Sequence, residues 1–333
     1  MKSLINKLFS QSRLLKTIKC NNQLMILNYH RLHDTNKNIY FDDGVYGPDA
    51  KRFKLEMEWL KQETHIISED ELFDILYNNK KMNRACSMVT FDDGYVDNYN
   101  IAYPILKQLS IPAIYFIPTK HINERSLGWW DITAYLIKNT KLVKTHFRGK
   151  EIVFSDKKKI IADIIIELKK MEASRVEGYI NELSTSLKVP IPSLELQGNE
   201  LMTWDQIKEV SQNGITIGSH THEHVILSRQ TLRDLRFQIK KSKDILEEKI
   251  GQEIRSISYP VGGYDHFDLE TKKVSESLGF KIGFSFLTGV NRFENIDPFD
   301  VKRGTSQPEW TNLDMALAFP DRVFQQERVT NAR

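Results

Sequence analysis

Two adjacent carboxylates, Asp92 and Asp93, follow the apolar run Cys86-Ser87-Met88-Val89-Thr90-Phe91 and precede Gly94, which permits a sharp turn. The run reads as a buried strand. At the carboxyl end of a strand in a parallel sheet, paired acids are placed to share a metal or a proton. Asp and Gly are also common in ordinary turns, so this stretch alone leaves both readings open. A second β-type run, Gly214-Ile215-Thr216-Ile217-Gly218-Ser219, delivers His220-Thr221-His222-Glu223-His224. Imidazole is the commonest ligand for a borderline metal, and histidines four apart converge on one ion when the segment coils. Asp93, His220 and His224 then make a two-histidine, one-carboxylate set. Such a set leaves coordination positions open for water and substrate, which points to catalysis rather than to a structural site. Zinc heads the divalent candidates; cobalt, nickel, manganese and iron also tolerate these ligands.

Thr90-Phe91-Asp92-Asp93-Gly94 and His220-Thr221-His222-Glu223-His224 resemble the first two signature motifs, T-F-D-D-G and H-[S/T]-x-x-H, of the polysaccharide deacetylases, the NodB-homology group of carbohydrate esterases. Ser258-Tyr259-Pro260-Val261-Gly262-Gly263 is similar to the third motif in its tyrosine-proline-glycine form. The resemblance covers about residues 23–305 and is specific for the chemistry, weakly so for the substrate. It implies a metal on Asp93, His220 and His224, with Asp92 as the base that takes the proton from water. The implied reaction is hydrolysis of the N-acetyl group of an amino sugar in a polysaccharide, glycolipid or lipid-linked precursor.

The segment Leu24-Met25-Ile26-Leu27-Asn28-Tyr29-His30 resembles the Tyr-His start of a permuted subgroup, in which the acid histidine arrives from the first strand. No histidine follows His266, so His30 is the candidate that protonates the departing nitrogen. The usual third motif carries an arginine three residues before the tyrosine; here Ser256 stands there, and Arg255, one step away, would face the other side of a strand. Arg303, at the end of the last strand, is therefore expected to pair with Asp92. The backbone N–H of Tyr259 is expected to help hold the oxyanion if the following turn aims it inward. His222 is expected to face away from the ligands, and His266 to lie in a loop. The family's fourth, tryptophan-containing motif is not found, which leaves the sugar-facing wall unassigned.

These residues need elements to position them, and the chain supplies an alternation of strands and helices. Apolar spacing predicts helices around Phe53–Leu60 and Glu69–Leu76, one after Asp93 carrying Ile101, Ile105 and Leu109, then a strand from Ala113 to Ile117. Residues 120–200 interrupt the rhythm as an insertion of helices, with Ser155 as an N-cap and Pro190 and Pro192 near its end. Trp129-Trp130 near its start could anchor the insertion or stack on a sugar. The alternation resumes with helices over 203–213, 232–250 and 269–278, strands over 254–259 and 281–286, and a last strand over 299–304. The pattern is α/β with a parallel sheet; with the resemblance it implies a distorted (β/α) barrel of about seven parallel strands with a helical insertion.

The domain reading is a basic N-terminal segment over 1–22, a catalytic domain over 23–319 and a tail over 320–333. The net charge of +3 hides an asymmetry: Lys2, Lys7, Arg13, Lys16 and Lys19 leave the remainder at −2, which gives no case for nucleic-acid binding. Leu4, Ile5, Leu8, Phe9, Leu15 and Ile18 fall at roughly helical spacing among these cations, so the segment reads either as an amphipathic helix on an anionic membrane surface or as a helix packed on the domain. It lacks the continuous apolar stretch of a signal peptide, and no run reaches the roughly 18 apolar residues of a spanning helix. Two distant cysteines, Cys20 and Cys86, suit a reducing compartment. The expectation is a cytoplasmic protein, peripheral to the inner face of the membrane through residues 1–22, acting on an N-acetylated carbohydrate. Oligomeric state is not legible. Two rivals stand: a deformylase or other amidase on a non-polymeric substrate, and a non-catalytic carbohydrate-binding protein on the same fold.

Overall fold

The computed structural model describes residues 22–34 and 39–305. Among the described residues the alternation of short apolar runs with amphipathic helices produces seven parallel barrel strands, β1 (Gln23–Tyr29), β2 (Cys86–Phe91), β3 (Ala113–Ile117), β4 (Ile215–Ser219), β5 (Ser256–Ser258), β6 (Ile282–Phe284) and β7 (Gly304–Thr305), with two two-residue strands at the side, His65–Ile66 parallel to β2 and Asn291–Arg292 antiparallel to β1. Their order is β6-β5-β4-β3-β2-β1-β7. The ring is closed by the segment 301–305. Val301 bridges Phe284 of β6, its N–H donating to the Gly283 carbonyl at 2.9 Å, and two residues later Gly304 pairs with Leu27 of β1. This is the expected distorted barrel.

Strand alternation sorts the side chains into two layers. Leu24, Ile26, Cys86, Met88, Ile114, Ile282, Phe284 and Val301 fill the barrel interior as one buried cluster. Met25, Leu27, Tyr29, Val89, Phe91, Tyr115, Ile217 and Ile257 face outward into a second cluster shared with the helices. Toward the carboxyl ends the buried strand residues turn polar, to Asn28, Thr90 and Ser258. A core that changes from aliphatic to hydrogen-bonding along the barrel axis marks the end where chemistry sits.

The helices begin where the sequence supplies caps. Ser68 and Glu71 form a capping box on Glu69–Tyr77, Thr203 and Gln206 another on Trp204–Ser211, and Gly251 closes Leu232–Ile250 in the left-handed conformation. The insertion is less uniform than its composition suggested. Between the helices Trp129–Asn139 and Lys157–Lys169 lies an antiparallel hairpin, Lys144–Phe147 with Lys150–Val153, turned at Arg148-Gly149. The N-cap of Lys157–Lys169 is Asp156, which accepts from the Lys159 N–H at 3.0 Å, rather than Ser155. The expected strand over 299–304 is also redrawn: only Val301 and then Gly304–Thr305 pair, and Arg303 lies between them. The basic segment, Cys20 and the C-terminal tail fall outside the described residues, apart from residue 22. Among the described residues no helix is long and apolar enough to cross a membrane.

Candidate active site

Asp92 extends the β1–β2 ladder by one step, its N–H donating to the Tyr29 carbonyl at 2.9 Å. The chain then turns sharply, with φ of 71° at Asp93 and 69° at Gly94. Left-handed backbone is unfavourable for residues with a β-carbon, yet Thr221 (66°), His224 (53°) and Val261 (62°) share it. Asp93, His224 and Val261 all line one cavity of about 620 Å³ at the barrel mouth. Strain gathered at one mouth marks a site whose geometry the surrounding scaffold enforces.

His220 Nδ1 lies 2.9 Å from the Ser258 carbonyl, so that nitrogen holds the proton and Nε2 is left as a bare lone pair. Nε2 of His220 is 3.6 Å, and Nε2 of His224 3.4 Å, from Asp93 Oδ1. The three donor atoms lie within 4.8 Å of one another. Asp93 Oδ1 is buried without a hydrogen-bond partner among the described residues. Burial, then the charges of Asp92 and Asp131, push the Asp93 carboxyl well up, and burial holds both imidazoles down. A divalent cation would favour the ionised Asp93 carboxylate against its burial and would keep both imidazoles neutral, the forms in which all three groups ligate. Two neutral imidazoles, a carboxylate and an open buried acceptor fit such an ion.

Asp92 stands beside this set without joining it. Its two oxygens receive Arg303 Nη1 at 2.9 Å and Nη2 at 3.0 Å, and Oδ2 also accepts from Asn28 Nδ2 at 3.1 Å. Burial works to raise this carboxyl, but Arg303, then His220 and His30, outweigh it and hold it well below the usual carboxylate range. Arg303 is itself fully engaged: it donates to Asn28 Oδ1 at 2.8 Å, Ser258 Oγ at 2.6 Å and the Ser285 carbonyl at 3.1 Å. Arg255 points elsewhere, to Glu69 at 2.8 Å and to Asp70.

His30 follows β1 on the same face as Asn28, its Nε2 3.9 Å from Asp92 Oδ2 and its side chain 26% exposed. Its carbonyl accepts from Asn98 Nδ2 at 2.8 Å, and the next residue, Arg31, is bound to Asp97 at 2.8 Å. The backbone that presents His30 is therefore fixed on both sides. Burial lowers this imidazole to about 4, against the opposing pull of Asp92.

Tyr259 departs from expectation. Its N–H continues the β5–β6 ladder, donating to the Phe284 carbonyl at 3.0 Å, and its buried phenol donates to the Phe299 carbonyl at 3.1 Å. Neither group is free to face a substrate. Pro260 has no N–H, so the next donor in the turn is that of Val261, which lines the cavity and bonds to no described residue. His222 does face away, toward Thr119 Oγ1 at 2.9 Å, and His266 lies in a loop near Gly263.

The tryptophan pair divides its work. Both line the cavity, but Trp130 is buried, donates to the Tyr95 hydroxyl at 2.9 Å and packs its ring 4.5 Å from His224, whereas Trp129 is only partly buried. Tyr95 donates in turn to Asp131 Oδ2 at 2.7 Å, and Asp131 Oδ1 takes the Asp42 N–H at 3.0 Å, tying the cavity-lining loop around Asp42 to the metal-ligand set. Burial raises the Asp131 carboxyl to about 6. Sequence reading passed over Asn28, Asp131 and Ser258. For Asn28 there was a signal: it shares a strand face with His30.

A parallel barrel whose mouth holds two imidazoles and a carboxylate in ligand geometry, with a second carboxylate kept ionised beside them, is equipped for hydrolysis. Residues 79–283 match the family described as polysaccharide deacetylase, and the chain belongs to that family. It is 25% identical over 269 residues to the Bacillus subtilis (strain 168) protein YxkH, whose name places it among polysaccharide deacetylases and specifies no substrate; the match covers 80% of this chain and 66% of that protein. It is 34% identical over 123 residues to the poly-beta-1,6-N-acetyl-D-glucosamine N-deacetylase of Staphylococcus aureus (strain MSSA476), covering 34% of this chain and 42% of that one. The chain thus spans less than two thirds of the length of these relatives. Among solved structures it is similar in fold to the Streptococcus pyogenes deacetylase PplD in complex with acetate, with a TM-score of 0.58 at 18% identity over 92% of this chain and 99% of that one.

Proposed function

We propose that the protein removes the N-acetyl group from an amino sugar of a glycan by metal-assisted hydrolysis of the amide. The observation that carries this reading is Asp92, a buried carboxylate pinned by Arg303 beside an Asp-His-His set that it does not join. A module that only bound carbohydrate would have no use for an ionised, non-ligating carboxylate there. The acyl group and the sugar are argued from the staphylococcal relatives named as N-deacetylases of an N-acetylglucosamine polymer.

A divalent ion held by Asp93, His220 and His224, zinc first among the candidates, would supply Lewis acidity toward the attacking water and the amide carbonyl. The chain's own groups do the rest. Asp92, oriented by Arg303 and Asn28, accepts the water's proton at Oδ2. Being held acidic, it is a weak base, and its contribution comes from position. His30 is neutral in the resting protein and sits 3.9 Å from that oxygen, placed to take the proton on and give it to the departing nitrogen. The Val261 N–H, freed by the left-handed turn, replaces that of Tyr259 as the donor proposed for the oxyanion.

The test is acetate release from N-acetylated oligosaccharides by metal-loaded protein, with N-formyl analogues in parallel. Acetate is expected. Formate alone, or neither product from a protein that holds its metal, overturns the reading.

A further inference from the structure

One wall of the cavity comes from the inserted helix Lys157–Lys169, which lines it with Lys158, Ile161, Ala162, Ile165, Ile166 and Lys169. The spacing is that of a single helical stripe. Its middle is purely aliphatic, and no side chain there can hydrogen-bond a sugar hydroxyl. Ile166 is 49% exposed although it borders the cavity.

The ends of the stripe are cations. Lys169 is half-buried and lies close enough to His30, Asp42 and His266 to act on their charge, yet its ammonium forms no salt bridge with a described residue. Burial holds it below the usual lysine range, with Asp42 opposing. A partly desolvated cation whose opposite charge, Asp42, stands off without contact is costly, and an anion placed directly against it relieves the cost. The surrounding arm repeats the pairing of charge and grease. Residues 141–170 hold nine basic and four acidic side chains, and among them Val143 and Val153 are 79% and 47% exposed. Cations interleaved with exposed aliphatics suit an anionic lipid surface.

We propose that the substrate is a lipid-linked amino sugar: the sugar at the Asp-His-His set, its phosphate or diphosphate bridge against Lys169, and its aliphatic chain along Ala162, Ile165 and Ile166. The placement of the sugar rests on the deacetylation reading; the charge and the aliphatic stripe do not.

The test measures binding first and acetate release second, using farnesyl-diphosphate-linked N-acetylglucosamine, N-acetylglucosamine 1-phosphate and chitotetraose with the metal-loaded full chain. The farnesyl probe is expected to bind about ten-fold or more tightly than the sugar phosphate, as burial of a few methylenes gives. Lys169→Met should weaken both phosphorylated probes about ten-fold. Ala162→Asp, at an exposed position on the cavity wall, should weaken the farnesyl probe alone. Chitotetraose binding as tightly as the farnesyl probe, or either variant weakening all three probes alike, overturns the proposal. Acetate release separates the two readings. Equal binding and equal release from all three probes removes the lipid-linked substrate and keeps deacetylation; selective binding of the farnesyl probe without acetate does the reverse.

Discussion

Arg303→Met should be among the most damaging substitutions in the molecule, and the structure sets its size. Arg303 and Asp92 are 1% and 3% exposed, so water cannot replace the lost partner. Removing one member of a buried, hydrogen-bonded ion pair costs about 3–5 kcal/mol, because the remaining charge stays desolvated and unpaired. Asn28 Oδ1 and Ser258 Oγ lose donors in the same step. In thermal unfolding at pH 7 the midpoint should fall by roughly 5–9 °C for a domain of this size. The double variant Asp92→Asn/Arg303→Met should recover part of that loss, since no charge is then stranded. The pH dependence has a definite sign. In the native protein the Asp92 carboxyl is depressed, so its contribution is fully present above the ordinary carboxylate pKa and is lost as pH falls toward the depressed value. Without the guanidinium, burial raises the carboxyl instead, and the variant sheds its penalty as the group takes up a proton. The gap between native protein and variant should therefore narrow from pH 7 toward pH 4. A loss below about 1 kcal/mol, a gap independent of pH, or a double variant as unstable as the single one would refute the reasoning.

Substituting His220 or His224 by Ala, or Asp93 by Asn, should abolish metal retention and turnover together, whereas Asp92→Asn should keep the metal and lose activity; equal metal loss in all four breaks the division between ligands and base. His30→Ala should keep metal and substrate binding while turnover of the amide falls roughly 10²–10⁴-fold, with a smaller loss on an aryl acetate whose leaving group needs no proton. An equal loss on both substrates assigns His30 a structural role. Because burial holds His30 at about 4, the unfolded chain binds a proton there that the folded one refuses between pH 4 and the ordinary histidine value, so stability rises with pH across that window and His30→Gln should flatten the rise, as urea unfolding across the range would show. Tyr259→Phe removes only the bond to the Phe299 carbonyl and should cost about 1 kcal/mol of stability with turnover retained; a collapse of kcat would restore Tyr259 to the chemistry. Deleting residues 1–22 should weaken binding to phosphatidylglycerol vesicles in a sedimentation assay, and high salt should do the same to the intact chain; insensitivity to both removes the membrane reading of that segment.

What the sequence determined by itself was local. Paired acids at the end of an apolar run, and histidines four apart after another, were legible because strand ends and ligand spacing are written in neighbouring residues. Alternation of short apolar runs with amphipathic stretches was enough for a parallel sheet with helical crossovers, since it fixes which faces must be buried, whereas closure into a barrel came only with the family resemblance. The pairing of Arg303 with Asp92 was reachable only through the family resemblance, because 211 positions separate the two side chains and only ring closure by Val301 and Gly304 brings them together. Tyr259 shows the limit most plainly. Its sequence neighbours suggested a free N–H, but whether a backbone donor is free depends on which carbonyl lies across the ladder, and the parallel neighbour Phe284 took it. Asn28 and Ser258 look like ordinary strand residues until the barrel closes around Arg303. The inserted helix, too, reads as an amphipathic element packing one face inward; only the tertiary fold decided that a second face, Lys158 to Lys169, would line the mouth, because the direction in which an insertion folds back is set by contacts far from it in the chain.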